Sequence, residues 1–398
     1  MVYMNSPPNY LDQGQYFDKV KQSGKTYSKW GGGGVLTEKN AFDPLFFNIT
    51  PREAASMSPH QKLILQESWK ALEDAGYNPK KLSEAPVGGV FIGAEPANYY
   101  HESFTGSSDA IVASRLSYYL NLMGPAMVVN TGCSSSATAI HLACESLRKG
   151  GETDLAIAGG VYANLDTSSL VALSGIDMIS PTGKCFTFDE KADGTVLSEG
   201  GVGIVVLKPL HQAEIDGDPI YGVIVGSGIN QDGASNGITA PPNGLAQERL
   251  LMDIYKKYEI DPNDISYVEA HGTGTKLGDP IEVNALIRAF KRYTTKEHYC
   301  AIGSTKSSIG HTGAAAGVIG LIRVLLSITQ RQIPRLINFK TLNPLIDLHR
   351  SPFYINTETE TWVSKQGKPL LAAINSFGHS GTNAHLVVQE HKPSEVKD

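Results

Sequence analysis

Short apolar runs bounded by glycine alternate along this chain with stretches whose apolar residues recur at three- and four-residue steps. The first pattern predicts buried strands and the second one-sided helices. The clearest pair is Ala126-Met127-Val128-Val129, followed after Asn130-Thr131-Gly132-Cys133 by Ala137, Ile140, Cys144 and Leu147 on one helix face. Further strands are predicted over 87–94, 155–160 and 201–207, the last ended by Lys208-Pro209. Ser58-Pro59 predicts an N-cap with proline at the first helical position; Leu65, Trp69 and Leu72 form the buried stripe and Gly76 the stop. Another helix opens at Ala113-Ser114-Arg115-Leu116. Residues 1–50 are loop-rich, with Lys29-Trp30 and the segment 42–47 expected to anchor them on a core.

Past residue 210 the alternation repeats. Strands are predicted over 221–227, 265–270, 299–303 and 371–374, separated by helices over 245–258, 280–290 and 314–329. Two such runs predict a duplicated α/β architecture with mainly parallel sheets, its halves spanning 1–210 and 211–398. No low-complexity tract or linker separates them.

Composition narrows the class. The 398 residues are 41% hydrophobic and 19% charged, with a net charge of -6 and no Lys/Arg-rich run, so nucleic acid is not an expected partner. The first residues form neither a basic nor an apolar leader, and the apolar stretch 314–328 is short for a bilayer and interrupted by Arg323. No membrane span is expected. Four scattered cysteines (Cys133, Cys144, Cys185, Cys300) show no disulfide framework, which fits a reducing cytoplasm, and His and Cys do not cluster at metal-ligand spacing.

Three positions carry candidate chemistry. Cys133 falls where a strand turns into a helix, and the free N–H groups and dipole of a helix start favour a thiolate nucleophile. A small buried hydrophobe is the plain alternative for any free cysteine. His271, in Glu269-Ala270-His271-Gly272-Thr273-Gly274-Thr275, and His311, in Lys306-Ser307-Ser308-Ile309-Gly310-His311, each follow a predicted strand. A lone histidine is more often structural than catalytic; two at strand ends beside a strand-end cysteine reverse that weighting. The Gly272–Gly278 loop lacks both the GxGxxG spacing and a G-K-[ST] ending, so it is not a phosphate loop. Gly378-His379-Ser380-Gly381-Thr382 has Thr where a serine-hydrolase elbow needs Gly.

Together, TGCSSSA around Cys133, EAHGTGT around His271, KSSIGH ending at His311 and the closing NSFGHSGTNAH resemble the β-ketoacyl synthase (ketosynthase) family. VEAHGTGTKLGDPIEVNAL and GKCFTFDEKADGTVLSEGGV narrow this to domains of modular type I polyketide synthases. TGCSSSA and NSFGHSGTNAH are most similar to the trans-acyltransferase branch found in bacilli, where such domains serve polyketide antibiotic biosynthesis. The resemblance runs from about Tyr16 to Val388. It implies the thiolase-like fold, two α/β halves stacked in five αβαβα layers, and a homodimer. It also implies a decarboxylative Claisen condensation without a bound cofactor or metal. An acyl group arriving on the phosphopantetheine of an acyl carrier protein moves to Cys133. Malonyl on a second carrier then loses CO2, and its enolate attacks the thioester. In this resemblance His271 and His311 donate Nε2–H bonds to the enolate oxygen, Lys306 orients them through hydrogen bonds and charge, the N–H groups of Cys133 and His379 form the oxyanion hole, and Thr273 and Thr275 contact the pantetheine arm. The extender would come from a separate acyltransferase among the other polyketide synthase domains.

Several positions depart from the family pattern. Asn130-Thr131-Gly132 stands where Asp-Thr-Ala is usual, Ser308 replaces a common Asn, and His379-Ser380 replace Phe-Gly or Ala-Gly at the pocket gate. The loop between Glu95 and Ser114 is short. The family's opening Ile-Ala-Ile-Ile-Gly strand is missing before Tyr16, which predicts a gap in the centre of the first sheet. Two alternatives stand beside this reading: a non-elongating transacylating domain, which typically lacks His271, and a non-catalytic ketosynthase-like partner subunit, which loses Cys133. Both residues are present here and argue against them, and a thiolase's second cysteine has no counterpart near 378–381.

Overall fold

The computed structural model describes residues 34, 36, 41–84, 88–99, 103–150, 153–163, 170, 173–176, 178–234, 242–364 and 367–392. Lys29, Trp30 and the start of the resemblance near Tyr16 lie outside them. Phe42, Phe46 and Phe47 anchor their segment as expected: Phe46 sits edge-on to Trp69 at 4.8 Å, and Phe47 meets Tyr119 at 5.0 Å.

The first sheet holds β1 (Gly88–Ala94), β2 (Ala126–Val129), β3 (Leu155–Ala163) and β4 (Gly200–Leu207) in the order β2-β1-β3-β4. β1 runs parallel to both neighbours, and β4 returns antiparallel to β3. The second sheet contains β5 (Val223–Gln231), β6 (Ile265–Glu269), β7 (Cys300–Gly303), β9 (Phe353–Ile355), β11 (Leu371–Phe377) and β12 (Thr382–Gln389), ordered β5-β12-β11-β6-β7-β9. A two-stranded ribbon pairs β8 (Gln332–Ile333) with β10 (Glu360–Thr361). The sheets are mixed rather than purely parallel, because β4 and β12 turn back beside their predecessors.

Set side by side, β2-β1-β3-β4 and β7-β6-β11-β12 follow one plan. The expected gap in the middle of the first sheet is absent: its ladder is continuous from β2 to β4. The position that has no occupant among the described residues is the outer edge of β4, which corresponds to the place of β5 beside β12. A cavity of about 540 Å³ borders that edge, lined by Ile204, Val206, Leu207, Leu321, Leu325 and Tyr221.

Helices fill three layers around these two sheets. α1 (Pro59–Asp74) and α2 (Ile111–Leu120) cover the outer face of the first sheet; α3 (Ser135–Lys149) and α6 (Ala316–Gln330) lie between the sheets; α4 (Gly244–Lys257) and α5 (Gly278–Phe290) cover the second. The five-layered stack is the thiolase-like arrangement. α6, with the turn before it, is long and apolar enough to cross a membrane, yet it is the wall of a core. Its one charge, Arg323, points at Glu269 of β6, 3.4 Å away. Near their starts the two central helices are tied together: the Val318 N–H, one of the donors that a first helical turn leaves free, donates to Ser136 Oγ at 3.0 Å.

Candidate active site

The chemistry-bearing residues sit past the carboxyl ends of β2, β6, β7 and β11, where α/β sheets leave a crevice. Beyond β2 the chain must reverse into α3 within five residues. Gly132 supplies a left-handed φ of 66°. Asn130 Oδ1 accepts its N–H at 3.1 Å, and Ser135 Oγ accepts the Thr131 N–H at 2.9 Å. These bonds hold Cys133, partly exposed, two residues ahead of α3. Burial pushes its thiol up to about 12, Glu95 adds to the rise, and Lys306 and the backbone N–H groups of His379 and Cys133 oppose it. A helix start alone led us to expect a thiolate; desolvation outweighs it in the resting site. The two backbone donors acting on the sulfur are those of the expected oxyanion hole.

His271 follows β6, and its ring lies 5.7 Å from that of His311, nearly perpendicular. Each ring is oriented by a main-chain donor: the Phe377 N–H donates to His271 Nδ1 at 3.3 Å and the Gly313 N–H to His311 Nδ1 at 3.1 Å. Nδ1 is thereby an acceptor, so the single proton of the neutral ring sits on Nε2. Burial first, then the Lys306 charge, hold both histidines well below the usual imidazole range. The pair is therefore neutral at physiological pH. Lys306 is buried beyond β7, and desolvation lowers it against the pull of Glu269 and Glu282. The hydrogen bonds orienting the histidines come from the main chain, not from Lys306 as the sequence led us to expect; its influence on them is charge.

Three buried carboxylates hold this floor. Glu282 on α5 accepts the N–H groups of His271 and Gly272 at 2.8 and 2.9 Å and the Asn375 amide at 2.8 Å. Asp279 accepts from Phe188 N–H (2.8 Å) and Gly274 N–H (3.1 Å), and burial raises it to about 7. Glu269 Oε1 accepts both the N–H and the hydroxyl of Thr305 at 2.6 Å, fixing the start of the Lys306 turn. Thr273 and Thr275 lie half-buried between these groups, their hydroxyls 3.1 Å apart.

The 375–382 turn closes over the nucleophile. Ser376 Oγ donates to the Cys133 carbonyl and Ser380 Oγ to the Thr131 carbonyl, each at 3.0 Å. Gly378 makes that closeness possible, since a Cβ there would stand 2.0 Å from the Thr131 carbonyl oxygen. Gly378→Ala is expected to push the turn away, lowering stability by ~1–3 kcal/mol in thermal unfolding and slowing alkylation of Cys133.

The structure thus brings Cys133, His271, His311, Lys306 and His379 into one cluster, linked through the charge of Lys306 on the first three and of His379 on His311. Sequence reasoning passed over Glu95, Glu269 and Glu282. Asp279 and Glu282, three apart in the first turns of α5, carry the only sequence signal, an acidic helix start that can accept free N–H groups. Among the described residues no group of three His, Cys, Asp or Glu is placed to hold a metal ion.

Comparison with known proteins gives consistent results. Residues 6–213 match the family described as Beta-ketoacyl synthase, N-terminal domain, and residues 221–340 match Beta-ketoacyl synthase, C-terminal domain. Polyketide synthase PksL of Bacillus subtilis (strain 168) is 47% identical over 400 residues, which cover 98% of this chain and 9% of PksL. The chain therefore spans less than a tenth of that relative. The ketosynthase from module 6 of the bacillaene synthase of Bacillus subtilis 168 superposes with a TM-score of 0.91 at 46% identity, covering 98% of this chain and 67% of the other. An oxazolomycin ketosynthase domain of Streptomyces albus JA3453 does so with a TM-score of 0.92 at 36% identity, covering 99% and 71%.

Proposed function

This chain belongs to the β-ketoacyl synthase family, as a ketosynthase domain of the polyketide synthase type, and from that premise we propose that it elongates carrier-bound acyl chains by decarboxylative Claisen condensation. What supports this most is the pairing of Cys133 under two backbone N–H donors with two neutral histidines whose protons sit on Nε2. Cys133 accepts the acyl group, and the N–H groups of Cys133 and His379 stabilise the oxyanion of that transfer. His271 and His311 donate to the enolate oxygen formed when malonyl loses CO2, where preorganised donors contribute most. Lys306 supplies a buried positive charge that favours the neutral, donating form of both rings. Thr273 and Thr275 contact the pantetheine arm. The partners are acyl carrier proteins, a separate acyltransferase and a second copy of the domain, in the cytoplasm.

The experiment is intact-mass spectrometry after incubation with a short acyl thioester, then with malonyl-loaded carrier protein. One acyl adduct that disappears as a β-ketoacyl group forms on the carrier is the expected result. An adduct that moves to the carrier without added carbons would instead show the transacylating alternative.

A further inference from the structure

Two departures from the family pattern, the Gly at 132 and the His at 379, meet in space. The His379 ring lies against Gly132 so closely that a Cβ at 132 would stand 2.6 Å from both Cε1 and Nδ1. An alanine at 132 would displace the ring from where it is. In that position His379 Nδ1 is 3.9 Å from Cys133 Sγ, within reach of a sulfur hydrogen bond, and 4.0 Å from Glu95 Oε1. Glu95, on the loop leaving β1, is about a quarter exposed and the His379 side chain just over half, 24% and 57%. So a nucleophile, an imidazole and a carboxylate share one corner of the pocket.

We propose that His379 is a catalytic base for the acylation of Cys133, with Glu95 stabilising the imidazolium that forms. The inference rests on the ketosynthase reading for its substrate. His271 and His311 are not placed to take this proton, because main-chain donors occupy their Nδ1 atoms and burial and Lys306 hold them neutral. The resting thiol, raised by burial, needs a base before it can attack. In the step, the Cys133 S–H proton moves to His379 Nδ1 as the sulfur attacks the thioester carbonyl carbon. The carbonyl–sulfur bond to pantetheine then breaks, and the departing thiolate takes the proton back from Nδ1. Acyl carbon changes sulfur, and no oxidant or further reactant is needed. The charged and titrating groups facing this corner are Glu95 after β1, Lys306 after β7, and His311 ahead of α6.

The test reads Cys133 alone. The rate of its alkylation by iodoacetamide, counted by intact mass, is followed from pH 5 to pH 10 in the full chain and in His379→Phe, His379→Gln and Glu95→Gln. Cys144, Cys185 and Cys300 are buried and stay silent. In the unsubstituted chain the rate should rise through the histidine range. In His379→Phe that inflection should vanish, leaving only an alkaline rise, with acyl transfer from a short thioester at pH 7 lowered by ~10²-fold. The backbone N–H at 379 is intact in every variant, so the loss cannot be charged to the oxyanion hole. Glu95→Gln should move the inflection to lower pH. The same pH profile in His379→Phe as in the unsubstituted chain would overturn the proposal and leave His379 a gate side chain. A histidine-linked alkylation profile with no acyl uptake would count against the ketosynthase reading instead, and leave the Cys133–His379 pair standing.

Discussion

Replacing Cys133 with alanine is expected to abolish acyl uptake completely, with no adduct in the intact mass after incubation with a short acyl thioester. Among the described residues the thiol is the one group placed to hold the acyl chain under the N–H donors of residues 133 and 379. Its side chain is partly exposed, so its loss opens no core cavity, and thermal unfolding should be little changed. His271→Ala divides the reaction at a different point. Uptake on Cys133 should persist, because the acyl oxyanion is served by the backbone. Condensation with malonyl-loaded carrier should fall by ~10²–10³, the usual consequence of removing one preorganised donor to a developing charge. Residual uptake in Cys133→Ala, or equal loss of both steps in His271→Ala, would contradict this division of labour.

Glu269→Ala is expected to be the most destabilising single change outside the nucleophile turn. The carboxylate accepts the Thr305 N–H and hydroxyl at 2.6 Å, the Tyr267 hydroxyl at 2.7 Å, and faces the Arg323 guanidinium at 3.4 Å. All of these groups lie between the second sheet and α6, where Arg323 is 11% exposed and Glu269 4%. Removing the acid leaves an uncompensated buried cation and several orphaned donors, at a cost of ~3–5 kcal/mol. Chemical denaturation should show that loss. Adding Arg323→Met to Glu269→Ala should recover part of it, since the apolar side chain no longer strands a charge. A double variant as unstable as the single one would mean that the Thr305 and Tyr267 bonds, not the cation, dominate.

Most of the scaffold was legible because buried strands are short apolar runs and the helices between them are one-sided. The run before Cys133 ends where the sequence placed it, at Val129, and the run before His271 ends at Glu269, one residue short of the expected 270. β12 escaped notice because its polar residues, Asn383 and His385, sit inside the strand and are buried with polar partners. β8, β9 and β10 span two or three residues each, too few to show a period. Which strand neighbours which is set by pairing between distant segments, so the edge position of the place beside β4 that no described residue fills could not be read from one run of residues. Within the site, side chains that act directly stood out by their motifs. The carboxylates beneath them did not: Glu269 is a single acid at the end of an apolar run, and its meaning depends on Arg323 one layer away. His379 was legible only as a backbone donor, because its side chain acquires a neighbour only when the second half of the fold closes on the first.

The bond from Val318 to Ser136 has a further consequence. Each helix start follows a reacting side chain: Ser136 lies three residues past Cys133, and Val318 seven residues past His311. The spacing between nucleophile and proton donor is therefore gauged at its source, by a fixed strut between two helix starts. Active-site loops can then differ in composition without detuning that spacing. Spacing and side-chain chemistry become separately adjustable, the first by the strut and the second by the rim.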